Sequence, residues 1–239
     1  INRCPGFLAH PNSAALFYGS LIILNLRINF FSQSKFRIIS LLALYLGLIS
    51  TFSISGIFVT LFGVLILKSS SSRHLNRQLI GFPLLISFAI LAFKLLPQFA
   101  ERANSYVATN RFQSGGEANS LLWRIARWRE IVKYWYDSPI FGQGYGASTN
   151  GAMLSGYLPH NEYVRVLVEL GIFGTILFLT IFLVIFKSLN KSSVVEFAQS
   201  GRILCIMSLL SSFTENTFLY SVHGFLLAAV LGVSLSRNP

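Results

Sequence analysis

The chain has 239 residues, of which 53% are hydrophobic and only 11% charged, with a mean hydropathy of +0.61. Soluble domains carry about 25% charged residues, so the composition excludes an ordinary soluble domain and points to an all-α, polytopic integral membrane bundle. The net charge of +11 does not indicate nucleic acid: Lys and Arg gather beside apolar runs, as topology signals do, and no RNP, zinc-finger or basic-helix signature is present.

Residues 1–12 are polar and hold Pro5, Gly6 and Pro11. An apolar span is expected over about 13–31, with Arg27 and Asn29 placed to snorkel. Two apolar runs follow, at 38–52 and 54–67. As one helix they would reach about 45 Å, against a hydrocarbon core of about 30 Å, so a tight hairpin of two short spans is expected. Lys68, Arg73 and Arg77 flank a serine run, and a fourth span covers 79–96. Residues 97–160 form one long hydrophilic loop. The remaining spans are expected at 162–186, 203–217 and 218–235, the last two joined by a turn at Glu215, Asn216 and Thr217. About seven spans in a single membrane domain, 1–239, are therefore predicted.

Charge orients them. Arg27, Lys35, Arg37, Lys68, Arg73, Arg77, Lys187, Lys191, Arg202 and Arg237 fall on one side, and the turns at 50–56 and 215–217 carry no Lys or Arg. The basic side is cytoplasmic by the positive-inside rule, which puts residues 1–12 and the 97–160 loop outside. The outer-membrane-barrel alternation is absent. Cys4 and Cys205 are far apart and read as inert thiols. The chain opens at Ile1 without a signal-peptide pattern and is expected to lack preceding helices of a longer membrane protein.

Inside the outer loop, 119–137 reads as an amphipathic helix. At about 100° per residue, Leu121, Leu122, Ile125, Trp128, Val132, Trp135 and Tyr136 share a face, whose aromatics suit a membrane interface. Glu130, Lys133 and Asp137 point away, and Glu130 can pair with Arg127 or Lys133. Arg124 lies at the edge of the apolar face, on a stripe with Trp128, Ile131 and Trp135; Arg127 and Arg129 lie farther round. An arginine on that stripe needs an anion, and a guanidinium forks onto phosphate oxygens. Lipid-headgroup anchoring or a local salt bridge would serve equally. The stretch 138–147 contains GxGxxA without a preceding strand, so its glycines read as a turn that brings backbone close to something, not as a dinucleotide site.

His160 stands at the outer mouth of the next span. Asn161 can cap that helix, Glu162 suits its dipole, and a histidine can act as a base near neutrality. The alternative is a structural histidine. His10, before Pro11 and Asn12, has a similar setting. Farther along, Glu169 needs a partner, and Arg165 at i−4 supplies one. Gly171 and Gly174 read as a close-packing pair.

Taken together, Arg124-x-x-x-Trp128, then Ser138-Pro139-Ile140-Phe141-Gly142-x-Gly144-Tyr145-Gly146, then His160-Asn161-Glu162-Tyr163 through Glu169-x-Gly171-x-x-Gly174, resemble the O-antigen ligase and O-antigen polymerase superfamily. Arg3-x-x-Gly6-x-x-x-His10-Pro11-Asn12 is similar to that family's upstream motif. The resemblance implies a glycosyltransferase of the bacterial inner membrane, working at its periplasmic face on undecaprenyl-diphosphate-linked glycan. The acceptor is a lipid A–core sugar in ligases and a growing polysaccharide in polymerases, and no cofactor, nucleotide sugar, ATP or metal is used. By position, His160 would deprotonate the acceptor hydroxyl and Arg124 would bind the diphosphate. Arg3, Arg127, Arg129, Asn161, Glu162 and Arg165 would line the substrate site. One departure stands out: where ligases of this family carry an arginine in Ser-Arg-Gly, this chain has Ser53-Ile54-Ser55-Gly56. A non-catalytic or transport component of polysaccharide assembly is the competing expectation.

Overall fold

The computed structural model describes residues 10–28, 33–69, 120–149, 158–219 and 221–236. Seven α-helices and no strands occur among them: α1 (Pro11–Arg27), α2 (Ser34–Ser50), α3 (Ile54–Ser69), α4 (Ser120–Trp135), α5 (Glu162–Leu189), α6 (Val195–Ser211) and α7 (Ser221–Leu235). Short 3-10 turns lie at Ala147–Thr149 and Thr217–Leu219. The expected span at 79–96 and the first part of the outer loop lie outside the described residues, as does Arg3.

The 38–67 hairpin is present. Thr51 closes it, its N–H donating to Leu48 O, and Phe52 takes a positive φ of 49°. Ser53 then caps α3 by accepting the Gly56 N–H at 3.1 Å. The expected 203–217 span is displaced: α6 begins at Val195 and ends at Ser211, leaving 212–216 non-helical. The earlier stretch holds Glu196 and Arg202, and the sequence assigns Arg202, with Lys187 and Lys191, to a basic loop. Each has a place in the folded chain: Glu196 lies 4.0 Å from Arg27, and Arg202 donates to Leu189 O at the end of α5.

By length and composition, one described helix can cross a membrane. An eighteen-residue window of α5 has a mean hydropathy of 2.5, yet only 22% of it is buried. A core helix of a soluble protein would have its apolar side chains covered.

Contacts divide the chain into two compact units. The first, residues 1–90, 182–211 and 217–239, is built around α1, which packs against α2, α3, α6 and α7. Helices α1 and α3 run parallel. Asn12 accepts a hydrogen bond from Ser53, Ala15 meets Gly56, and Gly19 meets Thr60, a constant offset of 41 residues. Small residues permit this approach: a Cβ on Gly19 would lie 2.2 Å from Thr60 Oγ1, and one on Gly63 2.6 Å from Met207 Sδ. Arg37 donates to the carbonyls of Asn25 and Leu26, satisfying the C-terminus of α1. Cys205 is fully buried in α6. The second unit, residues 91–181 and 212–216, carries the candidate site.

Candidate active site

The site begins with a break in α5. Gly171 has φ 68° and ψ −169°, which no helix accommodates, so the chain forms one segment over 162–170 and a second over 172–189. A break strands carbonyls at the end of one segment and N–H groups at the start of the next. The loop after α4 supplies both kinds of partner. Gln143 and Gly144 donate to the carbonyls of Val168 and Glu169, each at 2.9 Å. Pro139 and Ile140 accept from the N–H groups of Ile172 at 2.9 Å and Phe173 at 3.1 Å. Loop and helix are thus spliced backbone to backbone.

Two glycines make the splice possible. A Cβ on Gly171 would lie 2.2 Å from Ile140 O, and one on Gly142 would lie 2.4 Å from Glu169 C; both have positive φ. The expectation that the 138–147 glycines bring backbone close to something is met. The expectation that Gly171 and Gly174 form a helix-packing pair is not: Gly174 faces Leu170 of its own helix across the break. Gly171→Ala is therefore expected to destabilise the protein by at least about 1–3 kcal/mol, the range for a strained non-glycine φ, with the steric clash added. A thermal unfolding midpoint equal to wild type in detergent would contradict the splice.

Beneath the splice lies a buried ionic chain. Arg165 donates to Glu169 Oε2 at 2.8 Å and pairs with Glu162 Oε1. The other oxygen of Glu169 accepts from Ser148 Oγ at 2.5 Å and from the Ser148 N–H at 3.3 Å. Glu162, Glu169 and Ser148 are fully buried. The expected Arg165–Glu169 pair is present, and Ser148 joins it from the loop.

At the N-terminus of α5, Asn161 Oδ1 accepts the Val164 N–H at 3.0 Å, the expected cap. The segment 212–216 stitches this end down. Asn161 donates its N–H to Asn216 Oδ1 and its amide to Phe213 O, Glu162 donates its N–H to Ser212 O, and the rings of Tyr163 and Phe213 pack with centroids 4.6 Å apart. His160 lies between these anchors with φ 49°, a left-handed conformation that strains most side chains. Its Nδ1 is 2.7 Å from Glu215 Oε1. Glu215 is 2% exposed, while the imidazole is 22% exposed.

Helix α4 reaches the same place. Arg124 donates to Thr214 O at 2.7 Å, beside Glu215, and Trp128 Nε1 donates to Pro159 O at 2.7 Å, beside His160. Ile131 is fully buried against Val168, with Trp135 and Val164 packed around them. The stripe Arg124, Trp128, Ile131 and Trp135 is therefore the inward face. The indole N–H groups hold backbone carbonyls, Trp128 that of Pro159 and Trp135 that of Pro139. Tyr136 departs from the expected face: the helix ends at Trp135 and the ring is exposed.

The other predicted residues are arranged differently. Arg127 pairs with Glu130 at 2.9 Å on the surface, and Arg129 is exposed. Ile54 opens α3, where Ser53 and Gly56 serve capping and packing. The residue missed from sequence is Glu215. Its available signal was its rarity: it is one of eight acidic residues, placed in an outer turn on the predicted side of His160.

A histidine–carboxylate pair and an arginine converge on one short segment beside the mouth of an apolar helix, the makings of a proton-transfer and anion-binding site. A family model described as O-antigen ligase matches residues 38–179, more than half of the chain. The chain belongs to the O-antigen ligase family. That family comprises membrane ligases and polymerases acting on lipid-linked glycans and glycolipid acceptors, so a function of this general type follows. A search of curated proteins found no match. The matched region includes Arg124, the splice and His160, and stops before Glu215.

Proposed function

We propose that the chain transfers a glycan from undecaprenyl diphosphate to a sugar hydroxyl of an acceptor glycolipid or polysaccharide at the periplasmic face of the inner membrane, as one membrane-embedded helical domain of about seven spans. The observation that carries this reading is the His160–Glu215 contact of 2.7 Å at the start of an apolar helix. An ionised carboxylate only accepts, so it favours the proton on Nδ1 and leaves Nε2 as the basic nitrogen. His160 Nε2 takes the acceptor hydroxyl proton as the oxygen attacks the anomeric carbon. The bond from that carbon to the diphosphate breaks, and undecaprenyl diphosphate leaves with the electron pair. Attack opposite the leaving group inverts the anomeric centre.

Arg124 stabilises the departing diphosphate. A guanidinium has five N–H donors in a planar fork, so one hydrogen bond to Thr214 O fixes its direction and leaves capacity for phosphate oxygens. Arg3, Arg127 and Arg129 supply further positive charge to the donor, while Asn161, Glu162 and Arg165 shape the site through the helix end they build. Lysine offers a point charge without the fork. Arg124→Lys is accordingly expected to reduce transfer about 10–100-fold in proteoliposomes holding a lipid-linked glycan donor, at normal protein level. Wild-type activity would remove Arg124 from the mechanism. In cells, gel analysis of the surface glycolipid separates the two family activities: bare core beside accumulated polymer marks a ligase, and core bearing a single repeat marks a polymerase.

A further inference from the structure

We propose that the loop spliced into α5, residues 136–145, is an anchor in the bilayer interface, with Ile140 and Phe141 set among lipid acyl chains. The proposal rests on the membrane reading above. Three observations carry it. First, the tip is apolar and uncovered: Ile140 is 60% exposed, Phe141 71% and Tyr145 80%. Beside them Gln143 is half-buried and donates to Tyr134 O at 2.6 Å, and the exposed Asp137 lies at the start of the loop, away from Ile140 and Phe141 in sequence.

Second, the loop's backbone is tied to the helix on both sides of the tip. The N–H groups of Gly142, Gln143 and Gly144 and the carbonyls of Ser138, Pro139, Ile140 and Gly144 are all engaged within the protein. An ordinary surface loop would leave such groups to water. Here those groups need no water, whereas the N–H groups of Ile140 and Phe141 meet no backbone carbonyl among the described residues, so the tip's backbone lies at the headgroup level and its side chains reach the acyl chains.

Third, the tip is continuous with a surface already suited to lipid. Phe141 packs on Phe173 with ring centroids 6.0 Å apart, and Phe173 opens the exposed apolar face of the 172–189 segment, with Ile172, Ile176 and Leu179. That segment rises about 27 Å, close to the roughly 30 Å of a hydrocarbon core. The break at Gly171 thus falls at the core boundary. Tyr145, an amphipathic ring beside the tip, suits the headgroup level. The anchor fixes the height of the 162–170 segment, and with it His160, above the bilayer.

Spin labels test this on the full-length protein, in a Cys4→Ser, Cys205→Ala background reconstituted into phosphatidylethanolamine–phosphatidylglycerol vesicles. Labels at Phe141→Cys, Tyr145→Cys, Leu179→Cys and Arg129→Cys are compared for collision with oxygen, which concentrates in lipid, and with a nickel chelate, which stays in water. The expected order of oxygen preference is 179 above 141, with 145 intermediate and 129 lowest. If 179 is oxygen-accessible while 141 and 145 match 129, the anchor fails and the membrane reading stands. If 179 is also exposed to nickel, both fail. Labels at 141 and 145 that neither reagent reaches would place the tip against protein and overturn the proposal.

Discussion

His160→Asn is expected to lower glycan transfer at least about a hundredfold at unchanged protein level, the lower end of what a general base contributes and about 2.7 kcal/mol of barrier. Asparagine is the informative replacement. His160 has φ 49°, and asparagine tolerates this region, whereas alanine would add backbone strain to the chemical loss. The partner provides the sharper test. Glu215→Gln keeps size and hydrogen-bonding reach, but an amide can donate as well as accept, so it no longer dictates which imidazole nitrogen carries the proton. The expected result is a fall in kcat of about 10²–10⁴, as wrong-tautomer substitutions produce in other histidine–carboxylate pairs, with KM nearly unchanged. Glu215→Asp, which keeps an acceptor-only carboxylate on a shorter arm, should recover part of the loss. Activity at the wild-type level in His160→Asn would end the general-base assignment. A Glu215→Gln protein altered in KM alone would show that Glu215 shapes binding instead of orienting the base.

What the sequence disclosed here was local. Helical spacing ties residues three and four apart, so the Arg165–Glu169 pair, the Asn161 cap and the stripe through Arg124, Trp128 and Ile131 were all readable before any coordinates. The hairpin near Thr51 followed from bilayer thickness. What stayed hidden was long-range. Glu215 meets His160 across 55 residues, from a segment that reads in sequence only as a tight turn between two spans. The splice is made by main-chain groups, which have the same donors and acceptors at almost every residue, so its trace in the sequence is only the glycines that make room. Gly171 looked like a packing glycine because a one-residue break barely interrupts the apolar pattern around it. Helix α6 starts earlier than expected because Arg202, a loop charge by sequence, finds its partner in Leu189 O at the end of α5.

Removing Arg165 should be the most damaging change to stability. Its guanidinium neutralises two fully buried carboxylates at once. Arg165→Met keeps much of the packing volume but strands both charges, and breaking a buried pair from one side costs about 3–5 kcal/mol. The partners fare unequally. Glu169 retains Ser148, whereas Glu162 Oε2 is buried with no hydrogen-bond partner among the described residues and Glu162 Oε1 is held by Arg165. The expected order of thermal unfolding midpoints in detergent is wild type, then Glu162→Gln, then Arg165→Met at the bottom. Adding Glu162→Gln and Glu169→Gln to Arg165→Met removes the stranded charges and should restore a large part of the loss, because two neutral amides need hydrogen bonds but no counterion. If the triple variant is no more stable than Arg165→Met, the residue acts through packing, and the ionic chain is incidental to the fold. If it recovers stability but not glycan transfer, the chain's charge matters to the site itself: it sets the 162–170 segment, and the His160 at its end, in the geometry that Glu215 completes.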